Sequence, residues 1–150
     1  MDFDRWLEGE NENRPIEPIL LDVPIPITEI PTPALLLDEA KLLRNLSDMA
    51  ELTQSAGLAL RPHSKMHKSP IIAQLQLAHG ASGICCAKVS EAEVMQRAGV
   101  NEILITSPVR DARTLGRVAK LAQKNQEMMI VVDAVDAAVS LNRSLEATGQ

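Results

Sequence analysis

Arg61-Pro62-His63-Ser64-Lys65-Met66-His67-Lys68 gathers five basic or potentially basic side chains into one short run of an otherwise acidic protein. The run follows Leu58-Ala59-Leu60, which reads as a buried strand, and precedes Ser69-Pro70, which reads as a helix start. Strand side chains alternate between two faces. A strand continuing to His67 would set Arg61, His63, Lys65 and His67 on one face, and Leu58, Leu60, Pro62, Ser64 and Met66 on the other. A face made of basic groups is costly to bury unless something anionic or polar fills the space. The pattern asks for a ligand, with Lys65 at its centre.

Three chemistries are open to the segment. The first is a solvated charge cluster in a loop. The second is a metal held by His63 and His67; on a helix their spacing would suit one ion, but Pro62 and the preceding strand oppose a helix, and four strand residues span roughly 13 Å. The third is a carbonyl-binding lysine. A lysine amine attacks a carbonyl only when neutral, and neighbouring cations such as Arg61, Lys68 and charged histidines favour that form. In an α/β barrel, the end of a strand is the catalytic mouth.

The surrounding elements repeat. Ala34–Leu37 reads as a short strand, followed by a helix capped by Asp38 and closed by Gly57. A strand at 58–63 leads to a helix opened by Ser69 and Pro70 and ended at Gly80. A strand at Gly83–Ala87 leads to Ser90-x-x-Glu93, a capping box, and a helix closed by Gly99. A strand at Glu102–Thr106 leads to a helix capped by Asp111 that runs to about Gln123; a strand at Met128–Val132 leads to a helix capped by Asp136. Alternating strands and helices predict an α/β fold with a parallel sheet. The four strand–helix units from residue 58 onward fit half a closed barrel or a small open sheet, and no glycine-rich phosphate loop follows any strand.

Composition narrows the class. The chain has 150 residues, is 45% hydrophobic and carries a formal charge of −5. Residues 1–30 hold eight acids against two bases, whereas 31–150 hold twelve against thirteen, so the acidity belongs to the leader. Residues 1–33 also contain six of the nine prolines, which predicts an irregular leader. The only aromatics are Phe3 and Trp6, so the core must be aliphatic. There is no broad basic patch for nucleic acid, no apolar run of membrane-spanning length and no signal-peptide pattern; the expected location is the cytoplasm. Cys85 and Cys86 are adjacent, so they face opposite ways along a strand, and two small core residues are expected rather than a disulfide or shared metal. His79 reads as a helix C-terminal residue, Glu91 and Glu93 as cap residues, and Asp133 as a mouth or helix-turn residue.

The Arg61–Lys68 run resembles the pyridoxal-phosphate lysine motif of the D-threonine aldolase and D-serine dehydratase family, whose barrel is of the alanine racemase N-terminal type. Ile30–Asp38, Gly83–Ala87, Glu91–Met95, Ala98–Val100, Glu102–Ile105 and Val131–Asp133 resemble the family's successive pieces in order. The resemblance covers roughly 27–145 and implies residues 31–150 to be the N-terminal half of a (βα)8 TIM-type barrel, preceded by the leader at 1–30. It implies that Lys65 forms the Schiff base, with Arg61, His63 and His67 in the cofactor site, and that D-3-hydroxy amino acids are the substrates. Retro-aldol cleavage would give glycine and an aldehyde; dehydration of D-serine would give pyruvate and ammonia. A divalent metal assists in the family, but its ligands lie in parts that this sequence does not contain, as do the phosphate-binding groups. The sequence thus reads as an incomplete N-terminal portion, a homodimer if full length, or else a non-catalytic remnant. A racemase or cofactor-carrier branch of the same fold is the further alternative, opposed by the Arg-Pro-His prefix and the second His-Lys.

Overall fold

The structure, a computed structural model, describes residues 24–149. Its elements are α1 (Glu39–Ser55), α2 (Pro70–Ala78), β1 (Ile84–Cys86), α3 (Val89–Arg97), β2 (Ile103–Ile105), α4 (Ala112–Lys124), β3 (Met129–Ile130) and α5 (Val135–Glu146), with 3-10 turns at Ile27–Glu29 and Ser64–Met66. Local chemistry opens three of the helices. Asp38 accepts the Lys41 N–H at 3.0 Å ahead of α1. Ser69 accepts the Ile72 N–H at 3.4 Å ahead of α2, whose first residue is Pro70. Asp111 accepts the Thr114 N–H at 2.8 Å ahead of α4.

The three strands form a parallel sheet in the order β1-β2-β3. The chain from Leu60 to His63 runs along the free edge of β1. The Leu60 carbonyl accepts the Ser82 N–H at 2.7 Å, the Pro62 carbonyl accepts the Cys85 N–H at 2.8 Å, and His63 makes a single parallel bridge to Cys85. The expected strand at 58–63 is therefore one extended edge with interrupted pairing, because Pro62 has no N–H to give.

Among the described residues, the helices pack on one face of the sheet. Ile84, Cys86, Ile103 and Ile105 have no exposed surface and pack with Ala73 of α2, Val89, Ala92 and Met95 of α3, and Val118 and Leu121 of α4. Burying each large aliphatic side chain contributes roughly 1.5–3 kcal/mol, so this layer holds the fold together. The register sets His63, Cys85, Leu104 and Met129 level with one another on the opposite face, and none of the four is buried. A doubly wound sheet carries helices on both faces, whereas a barrel carries them only outside. The one-sided helix layer makes this a partial barrel.

Four expectations change. Ala34–Leu37 forms no strand: it has no sheet partner among the described residues, and Leu35, Leu36 and Leu37 are exposed. A strand exists only by pairing, however suitable its residues. The Ser90–Glu93 capping box does not form, because α3 starts at Val89 with no side-chain cap. Instead Glu91 accepts the Ala87 N–H at 2.8 Å, and Glu93 is forked by Arg117 at 2.7 and 2.6 Å. Asp136 is not the cap of α5, which begins at Val135; it accepts the Ala137 N–H at 2.9 Å and lies 3.4 Å from Arg110. The fourth is the face assignment around Lys65, because the chain leaves the strand path after His63 for the turn at Ser64–Met66. The leader at 1–30 lies outside the described residues as far as position 23. Among the described residues, no helix is long and apolar enough to cross a membrane.

Candidate active site

Strand alternation ends at His63. The next three residues form the 3-10 turn, closed by the Ser64 carbonyl, which accepts the N–H of His67 at 3.1 Å and of Lys68 at 2.7 Å. Ser64 drives this: its side chain is fully buried, donating to the Cys85 carbonyl at 3.0 Å and lying 3.6 Å from Cys86 Sγ. The turn leaves Lys65 exposed at the carboxyl end of the edge strand, where a barrel opens. Lys65 Nζ has no hydrogen bond or ion pair among the described residues. Lys68 differs: its Nζ is 4.0 Å from Glu91, and its backbone is left-handed at φ 51°.

His63 and Arg61 stay on the inward face. His63 Nδ1 accepts the Lys65 N–H at 3.3 Å, and its Nε2 lies 3.3 Å from Thr106 Oγ1. Thr106 in turn donates to the Cys86 carbonyl at 3.2 Å. Arg61 sits lower, reaching past Gly83 to donate from Nη1 to the Glu102 carbonyl at 2.7 Å. Arg61 therefore ties the start of β2 to the edge strand, while His63 ties its end.

His67 does not join them, because the turn carries it to the Pro62 side of the strand. Its Nδ1 accepts the Ser69 N–H at 3.0 Å, and the ring lines a cavity of about 510 Å³ with Leu42, Leu46, Pro62, Ile72 and Gln76. Burial lowers its pKa. His67 Nε2 and Gln76 Oε1 are buried without a hydrogen-bond partner among the described residues. The basic face expected from alternation is thus split: Arg61 and His63 inward, Lys65 into the open, His67 toward the helices.

Between the loops after β1 and β2 lies a second cavity of about 290 Å³, lined by Ala87, Lys88, Ser107, Arg110 and Thr114 among others. Arg110 is fixed there by Asp133 at 2.6 Å, which gives that aspartate its place after β3. Both cysteines are free; Cys85 faces inward, and burial pushes the Cys86 thiol up to about 11. His79 ends α2, its Nδ1 2.8 Å from the Leu75 carbonyl. Among the described residues, no three His, Cys, Asp or Glu side chains cluster as a metal site would need. Sequence reasoning missed the roles of Ser64 and Thr106. The available signal was a small hydroxyl residue set amid long basic ones, and another at a strand end.

Residues 37–150 match the alanine racemase N-terminal domain. The chain is 37% identical over 123 residues to the 3-hydroxy-D-aspartate aldolase of Paracoccus denitrificans, covering 81% of this chain and 32% of that protein. It is 44% identical over 98 residues to the D-threonine aldolase of an Arthrobacter species, covering 65% of this chain and 26% of that protein. The crystal structure of D-threonine aldolase from Filomicrobium marinum superposes with a TM-score of 0.79 at 42% identity, covering 82% of this chain and 33% of the other. The chain thus spans about a third or less of the length of these relatives. A one-sided helix layer on a parallel sheet, an open lysine at a strand's carboxyl end and a match over most of the length place the chain in the alanine racemase N-terminal domain family.

Proposed function

We propose that residues 31–150 supply the cofactor-attaching lysine of a pyridoxal-phosphate-dependent lyase acting on D-3-hydroxy amino acids. The observation that carries this reading is the contrast between two lysines of one motif. Lys65 is exposed at the carboxyl end of a strand with no ion pair among the described residues, whereas Lys68, also exposed, lies 4.0 Å from Glu91. When bound, pyridoxal phosphate supplies an electron sink, and the surrounding protein selects the bond that breaks.

The chain's own residues prepare the place. Ser64 fixes the turn that aims Lys65, and His63 presents its ring on the inward face below it. Arg61 braces the lower part of that face, and His67 supports the turn from the helix side. Retro-aldol cleavage to glycine and an aldehyde is the favoured reaction, because the relatives described above are named aldolases. Dehydration in the manner of a D-serine dehydratase is the alternative on the same scaffold.

Borohydride treatment of the chain loaded with pyridoxal phosphate, followed by peptide mapping, tests the assignment. Label on Lys65 supports it; label on Lys68, or on no lysine, overturns it. A second reading is a cofactor-binding chain without turnover, favoured by the exposure of Met129 on the inward face and of Leu35, Leu36 and Leu37 beside α1. Cleavage of D-threonine by this chain would rule out that reading.

A further inference from the structure

We infer that Thr106 is a positioning residue that locks His63 in one tautomer and, through it, sets the turn bearing Lys65. The inference extends the reading of Lys65 as the attachment lysine. It stands on three consecutive hydrogen bonds joining the edge strand, β1 and the end of β2. The Lys65 backbone N–H can only donate, so His63 Nδ1, 3.3 Å away, must carry a lone pair. The proton of the ring then sits on Nε2, directed at Thr106 Oγ1 at 3.3 Å. Thr106 can accept it because its own hydroxyl proton is committed to the Cys86 carbonyl at 3.2 Å. Each donor meets an acceptor, and the series has one sense only. Reversing the tautomer would set the Nδ1 proton against the Lys65 N–H and leave Nε2 without a proton to give.

The lock has a chemical consequence. Both ring nitrogens of His63 are engaged, so the residue presents a fixed ring face inward rather than a free nitrogen for proton transfer. Its orientation is passed by the Nδ1 bond to the backbone of the residue whose amine is to attach the cofactor. A valine at 106 would keep the shape of threonine and remove the hydroxyl; a serine would keep the hydroxyl.

The test is ¹⁵N NMR of ring-labelled histidine in the full chain, comparing wild type with Thr106→Val and Thr106→Ser. The expected result is a single Nε2–H tautomer for His63 in wild type and T106S, and a mixture in T106V. The rate of pyridoxal-phosphate attachment at Lys65 should fall about fivefold in T106V, the factor that goes with losing one ordinary hydrogen bond, and recover in T106S. An Nδ1–H ring in wild type, or an unchanged tautomer in T106V, overturns the inference. The wild-type spectrum decides even if T106V does not fold. Failure of attachment in every variant with the tautomer pattern intact would instead count against the Lys65 reading alone.

Discussion

The hydroxyl of Ser64, with no exposed surface, donates to the carbonyl of Cys85 at 3.0 Å, and this bond ends the edge strand and begins the turn of Lys65. Ser64→Ala removes the donor without changing the space much. The loss of one buried hydrogen bond costs about 1 kcal/mol. The urea midpoint should fall accordingly, and attachment of pyridoxal phosphate at Lys65 should slow as the turn loosens. An unchanged midpoint would mean that the turn is held by its backbone bonds alone.

Gly83 is the second fixed point of the edge strand. Its φ is 148°, and a Cβ there would collide with the Arg61 guanidinium and the Glu102 carbonyl. Gly83→Ala must strain the backbone against the Glu102 carbonyl and also push Arg61 from its 2.7 Å bond to Glu102. A destabilisation of about 1–3 kcal/mol is expected. The double variant with Arg61→Ala should show less than the sum of the two single losses, since the collision is then partly relieved. Strict additivity would show that Arg61 is not what Gly83 accommodates.

Much of this was readable from residue order, and the boundary of legibility is physical. Asp38, Ser69 and Asp111 cap their helices as read, because a cap bonds within its own first turn. Ser90 and Asp136 each lie two positions past the observed N-caps, Lys88 and Ala134, where more distant residues intervened: Arg117 takes Glu93, and Arg110 reaches Asp136. The aliphatic runs at Ile84–Cys86 and Ile103–Ile105 became the core strands, but Ala34–Leu37, equally apolar, found no partner among the described residues. Lys65 stood out from its motif. Its turn did not, because the bond that makes it comes from Cys85, twenty-one residues on.

His67 should make stability depend on mildly acidic pH. Burial lowers its pKa below the ordinary 6.5. The unfolded chain then binds the proton more readily than the folded one. The stability contributed is present above about pH 6.5 and is lost as pH falls through the lower folded value. Urea titrations of wild type should show this decline, and His67→Gln should flatten it. A wild type whose midpoint does not change from pH 7 to pH 5 would contradict the burial of this ring.

Cys85 and Cys86 should differ sharply in reactivity although adjacent. Cys86 has no exposed surface, and burial pushes its thiol from 9.0 to about 11. Cys85 faces inward and is partly exposed, and its thiol is also raised by burial, against the pull of Arg61. The thiolate is the reactive form, so both should react slowly at neutral pH. Cys85 should still be alkylated first, with Cys86 labelled only as the chain unfolds. The sign of the pH effect follows from the raised value. The folded state keeps the Cys86 proton more tightly than the unfolded one, so its contribution is full below 9.0 and drains away as pH rises toward about 11. The total is on the order of 2–3 kcal/mol. Cys86→Ala should begin less stable, through the cavity left between Ile84 and Ile105, yet lose less than wild type over that alkaline range. Mass spectrometry of partly alkylated protein separates the two sites. Label on Cys86 before Cys85 would mean that the face of β1 turned to the helices is open, against the packing that defines this partial barrel.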